Sequence, residues 1–136
     1  MTDWRNPALI QVPTIVDHLG ALSIVEKNEP FPFPIRRVYY IHGVAPGAVR
    51  GSHAHKALRQ LIVAVAGSFE VALDDGETVS EWGLDTPTTG LVVPPGYWRT
   101  LRSFTPKAVA LVFASDEYDE DDYIRDYDDF VGWARS

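Results

Sequence analysis

Apolar and β-branched residues along this chain gather in short runs broken by proline, glycine and acidic turns, which is the rhythm of strands rather than of long helices. Residues 36–44 are rich in Val, Tyr and Ile and stop at Ala45-Pro46-Gly47, a turn sequence. Residues 60–66 and 68–73 flank Gly67, and Asp74-Asp75-Gly76 is a hairpin signal before residues 78–84. Residues 90–93, the turn Pro94-Pro95-Gly96, and residues 98–103 and 108–114 continue the series. Short strands at this spacing predict an all-β sandwich or small barrel.

The two ends read differently. Pro30, Pro32 and Pro34 alternate with Phe31 and Phe33, which favours an extended segment, forbids helix, and suits a connector from an N-terminal strand pair to the main sheet. Towards the carboxy terminus Tyr123, Ile124, Tyr127, Phe130 and Val131 fall near a helical period amid acids. That pattern predicts a short helix with its aromatic face on the barrel and its acids in solvent.

With 136 residues, 46% of them hydrophobic and 23% charged, one globular domain is expected. The absence of cysteine excludes disulfides, thiolate nucleophiles and cysteine-bound zinc. Met1-Thr2-Asp3-Trp4-Arg5 carries no basic region leading into an apolar run, and no apolar stretch has membrane-spanning length, so a cytoplasmic protein is expected. A net charge of -7 argues against non-specific nucleic-acid binding. Nine of the 19 acids and one of the 12 bases lie between Asp116 and Asp129, leaving 10 acids and 11 bases elsewhere. The body of the domain is thus nearly neutral, and an anionic ligand is compatible with it.

The chemistry centres on Arg50-Gly51-Ser52-His53-Ala54-His55-Lys56. On a strand, His53 and His55 point to one face, where imidazoles could exchange protons near neutral pH or bind a transition metal. Gly47 lies six residues before His53 and Gly67 twelve after His55, a spacing that resembles the first motif of the cupin superfamily. Gln60 stands where that motif has a glutamate. Pro94-Pro95-Gly96-Tyr97-Trp98-Arg99 resembles the second motif, with Arg99 in the place of a third histidine. An amide is a poor metal ligand and a guanidinium repels a cation, so no metal is expected. The resemblance implies an all-β cupin-type small β-barrel, or jelly roll, with a short C-terminal helix. Arg50, Arg59, Arg99 and Arg102 cluster around the two motifs as candidates for a phosphate clamp, some of them expected to be ordinary surface residues.

Four strings resemble a specific family: Arg36-Arg37-Val38-Tyr39-Tyr40-Ile41, residues 50–56, Leu73-Asp74-Asp75-Gly76, and Asp121-Asp122-Tyr123-Ile124-Arg125-Asp126-Tyr127. The family is that of the nucleotide-sugar 3,4-ketoisomerases, WxcM-like cupins, and the similarity runs from about Asp17 to Phe130. It implies a cofactor-free, metal-free isomerase that converts dTDP-4-keto-6-deoxyglucose to the 3-keto sugar used for 3-amino-3,6-dideoxyhexoses. It implies a homodimer with exchanged N-terminal strands: residues 1–35 exchanged, 36–115 the barrel, 116–136 the acidic tail, all within one domain of residues 1–136. By the same resemblance His53 and His55 are the acid/base pair, His55 preferred as principal base, with Tyr39 as polar partner or shuttle. Arg50, Arg59 and Arg99 are placed near the diphosphate or sugar oxygens, and Gln60 near the sugar. Asp17-His18-Leu19-Gly20 departs from the family by carrying Leu19 at a usually polar or basic position, while Arg99 favours a product with an equatorial C4 hydroxyl.

Tyr39 and Tyr40 must point to opposite strand faces, so one of them at most enters a pocket. Tyr97 and Trp98 are read as core aromatics rather than base-stacking groups, and His18 and His42 as edge or surface residues. Two other readings compete: a nucleotide-sugar 3,5-epimerase, and a non-catalytic sugar-nucleotide-binding cupin. Paired imidazoles beside arginines speak against the second, since binding alone needs no proton carriers.

Overall fold

The computed structural model describes residues 5–27, 30–31 and 33–136. Met1-Thr2-Asp3-Trp4, and Glu29 and Pro32 of the proline-rich connector, lie outside the described residues. In chain order the early strands are β1 (Ala8–Gln11), β2 (Thr14–Asp17), β3 (Gly20–Ser23), β4 (Glu26–Lys27) and β5 (Pro30–Phe31). The body follows as β6 (Arg37–Ile41), β7 (Arg50–His55), β8 (Gln60–Ala66), β9 (Phe69–Asp74), β10 (Val79–Leu84), β11 (Thr89–Val93), β12 (Trp98–Arg102) and β13 (Val109–Ala114). A last short strand, β14 (Tyr123–Ile124), precedes helix α1 (Tyr127–Ala134).

Two five-stranded antiparallel sheets form, in the orders β1-β11-β8-β13-β6 and β10-β9-β12-β7-β14. Alternation along the strands explains the packing: β12 and β13 bury every second residue, and the inward side chains of both sheets meet in one core. Ile62, Leu91 and Val112 from the first sheet pack there with Phe69, Val71, Leu73 and Leu101 from the second. Strand β8 is buried on both faces through its first five residues, because Val12 and Phe33 cover Leu61 and Val63 on the outer side. At the β8–β9 turn a side chain on Gly67 (φ +62°) would approach Thr105 Oγ1 to 2.6 Å and Ala108 Cα to 2.8 Å, so the glycine is needed for the fold.

The all-β jelly roll with a terminal helix is as expected, but the sheets do not close into a hydrogen-bonded barrel. Edge strand β6 of one sheet and β7–β14 of the other leave an open seam, and that seam is where the site lies. The helix starts later than the aromatic spacing predicts. Tyr123 and Ile124 belong to β14, paired with His55 and Ala54 of β7. Asp126 then caps α1, its carboxylate accepting from Asp129 N at 3.0 Å. Phe130, fully buried, joins Ile124 and Ala54 in a small cluster with Trp98. Near the other end, β2 and β3 form a hairpin turned by Asp17, whose Oδ1 accepts from Leu19 N and Gly20 N. No helix among the described residues is long and apolar enough to cross a membrane.

Candidate active site

At the seam lies a cleft of about 510 Å³ lined by side chains of β6, β7, β12 and the C-terminal strap, among them Tyr39, His53, Arg99 and Tyr123. His53 and His55 share one face of β7 as period-two alternation requires, while the intervening Ala54 faces the cluster around Phe130. Their ring centroids lie 4.9 Å apart at 85°, and the Tyr123 ring approaches them to 4.9 and 4.4 Å. His53 faces the cleft. His55 is 4% exposed and lies behind it, with Nδ1 2.9 Å from Asp122 Oδ2. His53 Nδ1 and His55 Nε2 are both buried without a hydrogen-bond partner among the described residues.

Desolvation, and secondarily the Arg99 charge, push His53 down to about 3 and His55 down to about 4; Asp122 acts in the opposite direction on His55. Both imidazoles are therefore neutral near pH 7, in the form that accepts a proton.

Arg99 pairs across the sheet with His53 and is only 2% exposed, yet among the described residues no carboxylate pairs with it. Its guanidinium donates to Gln60 Oε1 and, at 3.2 Å, to Tyr39 Oη; Gln60 Nε2 also donates to Tyr39 Oη at 2.9 Å. The phenol oxygen accepts twice, so its own proton is left free to point into the cleft. Gly51 makes room for this arrangement: it holds φ +69°, and a Cβ there would meet Arg99 Nη2 and Leu101 Cδ1, each at 3.3 Å. The positions at which cupins place a carboxylate and a third imidazole are thus taken by an amide and a guanidinium already bonded to one another. That donor set does not suit a cation.

Of the predicted residues, Tyr39, Arg50, His53 and Arg99 line the cleft, while Gln60 and His55 support it from beneath. Arg59 is exposed and lies outside the cleft lining, its backbone bonded to Ser115. Arg102 pairs with Glu70 and Glu81 away from the cleft. Tyr97 packs on the main core and Trp98 on the cluster around Phe130, as core aromatics. His18 and His42 are exposed. Sequence reasoning missed Asp122, Tyr123, Arg125 and Arg37. Arg37 lies over the Tyr39 ring at 5.3 Å, and Arg125 over the Tyr123 ring at 4.3 Å, bonded through two nitrogens to Glu120. The signal was present in Asp121-Asp122-Tyr123-Ile124-Arg125, but a helical, solvated reading of the tail concealed it.

The chain matches the family described as FdtA: WxcM-like, C-terminal, over residues 5–135. The chain belongs to this family of sugar 3,4-ketoisomerases. It is 46% identical over 122 residues to the TDP-4-oxo-6-deoxy-alpha-D-glucose-3,4-oxoisomerase of Aneurinibacillus thermoaerophilus, covering 90% of this chain and 88% of the relative. A histidine-to-asparagine mutant of the 3,4-ketoisomerase QdtA from Thermoanaerobacterium thermosaccharolyticum, solved with TDP-4-keto-6-deoxyglucose, superposes with a TM-score of 0.93 at 39% identity, covering 96% of this chain and 94% of that one. The WlaRB TDP-quinovose 3,4-ketoisomerase from Campylobacter jejuni superposes with a TM-score of 0.89 at 39% identity, covering 94% and 98%. In this WxcM-like ketoisomerase His53 fronts the cleft with His55 behind it, beside the hydrogen-bonded trio Arg99, Gln60 and Tyr39.

Proposed function

We propose that this chain isomerises dTDP-4-keto-6-deoxyglucose to the dTDP-3-keto-6-deoxyhexose by metal-free acid/base catalysis. The observation that carries the reading is the neutral His53 on the cleft surface beside a Tyr39 phenol that already accepts from both Gln60 and Arg99. His53, rather than His55, takes the C3 proton, because His53 is the imidazole the sugar can reach. The electrons left at C3 form the C3–C4 double bond of an enediolate whose negative charge develops on the C4 oxygen. Arg99, buried with no anionic partner among the described residues, stabilises that charge. Tyr39 donates its free proton to the C4 oxygen and recovers one from the C3 hydroxyl as C3 becomes the ketone. A solvent-derived proton adds to C4 on the ring face opposite the one His53 serves, and protonated His53 returns its proton to water, which completes the isomerisation with no net change in oxidation state. Arg37, Arg50 and Arg125 on the cleft wall replace Arg59 as the proposed contacts for the diphosphate. Arg99 beside the hexose supports a product with an equatorial C4 hydroxyl.

The partner proposed is a second copy with its N-terminal strands exchanged. The β2–β3 hairpin leaves Ile15, Val16, Leu19 and Leu22 exposed at 60, 73, 84 and 60%. A nearby apolar groove of about 300 Å³ is lined by Val12, Val25, Val63 and Phe113, among others.

The decisive experiment incubates EDTA-treated protein with dTDP-4-keto-6-deoxyglucose in deuterated water and follows the sugar by NMR. The 3-keto sugar, deuterated at C4 and formed at a rate that chelation leaves unchanged, is the expected product. Deuterium at C5, in a sugar that stays a 4-ketone, indicates 3,5-epimerase chemistry, and binding without exchange indicates a passive sugar-nucleotide module.

A further inference from the structure

Asp122 is held on three sides. Its Oδ1 accepts from Ala57 N at 2.7 Å, its Oδ2 faces His55 Nδ1 at 2.9 Å, and its main-chain oxygen accepts from Lys56 N at 3.0 Å. Its side chain is 15% exposed and that of His55 is 5% exposed, so water competes little for either. An ionised carboxylate can only accept, so the proton between the two groups sits on His55 Nδ1. In a neutral imidazole the other nitrogen is then bare, and His55 Nε2 is indeed buried without a protein donor, on a ring 4.9 Å from that of His53.

We infer that Asp122 is a positioning residue for the reaction: it locks His55 in the Nδ1–H tautomer and keeps the Nε2 lone pair available within the acid/base pair. The inference rests on the proposed isomerase reading. It assigns the acidic tail a task that its composition does not suggest. The strand pairing of β14 with β7 brings Asp122 to His55 across 67 residues of sequence. The Lys56 bond holds the Asp122 main chain and the Ala57 bond fixes the rotation of its carboxylate, so that one oxygen alone meets the imidazole.

This geometry makes Asp122→Asn a discriminating substitution. The Ala57 N–H still needs an acceptor, so the amide oxygen keeps that place and the amide NH2 faces His55 Nδ1. Nδ1 must then be bare and the proton moves to Nε2, a wrong-tautomer effect known for carboxylate–histidine pairs in general. In long-range 1H–15N NMR, wild-type His55 is expected to be protonated on Nδ1 and the Asp122→Asn variant on Nε2. The variant should keep its circular dichroism spectrum and KM within about twofold while kcat falls about a hundredfold, the scale of a general acid/base contribution. Asp122→Glu, which retains the carboxylate, should keep the wild-type tautomer and recover much of kcat. A wild-type His55 protonated on Nε2 overturns the inference, and so does a variant whose tautomer flips while kcat stays at the wild-type value. Should the wild-type protein turn over no 4-keto sugar, the isomerase reading fails on its own, while the two NMR spectra still decide whether Asp122 sets the His55 tautomer.

Discussion

At the scale of single residues, the site depends on which groups are denied their ordinary charge. His53 and His55 normally titrate at 6.5 but are pushed down to about 3 and 4 by burial and by Arg99. The unfolded chain therefore binds protons below about pH 6.5 that the folded chain refuses, and unfolding free energy must fall as pH falls. Stability from the two neutral rings is fully present above pH 6.5, declines below it, and is lost as pH drops through 4 and then 3. Urea unfolding at pH 7.5 and pH 5 should show this decline, and His53→Gln should make it shallower; an identical decline in the variant contradicts the assignment. The same shifts place the acidic limb of kcat/KM below pH 5. For catalysis itself, His53→Asn should lower kcat about a hundredfold or more with little change in KM. Arg50→Ala and Arg125→Ala should instead raise KM, whereas Arg59→Ala, outside the cleft, should leave it near the wild-type value. Steady-state kinetics on all four variants checks both statements.

At the scale of elements, the C-terminal strap is the part most easily misread. Tyr123, Ile124, Tyr127, Phe130 and Val131 fit a helical spacing, yet only the last three lie in α1. Periodicity in so short a window cannot distinguish a helix from a two-residue strand followed by a capped helix, and the deciding events are the Asp126 cap and the pairing with β7. The body strands were legible because their alternation and turn residues agree with what both sheets require; β8 to β13 fall within a residue or two of their sequence-based bounds. Helix α1 is tied down by the buried Phe130 and by Tyr127 Oη donating to Asp74 at 2.7 Å. Phe130→Ala should cost about 3–5 kcal/mol, the usual loss for a buried phenylalanine. It should also lower kcat, since Asp122 and Tyr123 precede the helix on the same strap. Chemical denaturation and turnover measured together test this: a stability loss with unchanged kcat would separate the helix from the site.

For the whole molecule, the seam between the sheets matters more than either sheet. An open edge at β6 and a capped edge at β14 create a cleft into which Tyr39, His53 and Arg99 reach from three different strands. The exposed β2–β3 hairpin is the surface on which the proposed dimer is tested. Sedimentation of the wild-type protein should give a dimer, and Ile15→Asp with Leu22→Asp should shift it towards monomer; a monomeric wild type rules out the exchanged arrangement. By itself the sequence determined the all-β class, the common face of His53 and His55, and the loss of a cupin's metal set at Gln60 and Arg99, because these follow from alternation and from the chemistry of single side chains. Only the tertiary structure decided that His53 fronts the cleft, that His55 is backed by Asp122, that Arg59 stays outside while Arg37 and Arg125 come in, and that both imidazoles are neutral. Those properties depend on burial and on contacts between residues as many as 67 positions apart, which no local pattern encodes.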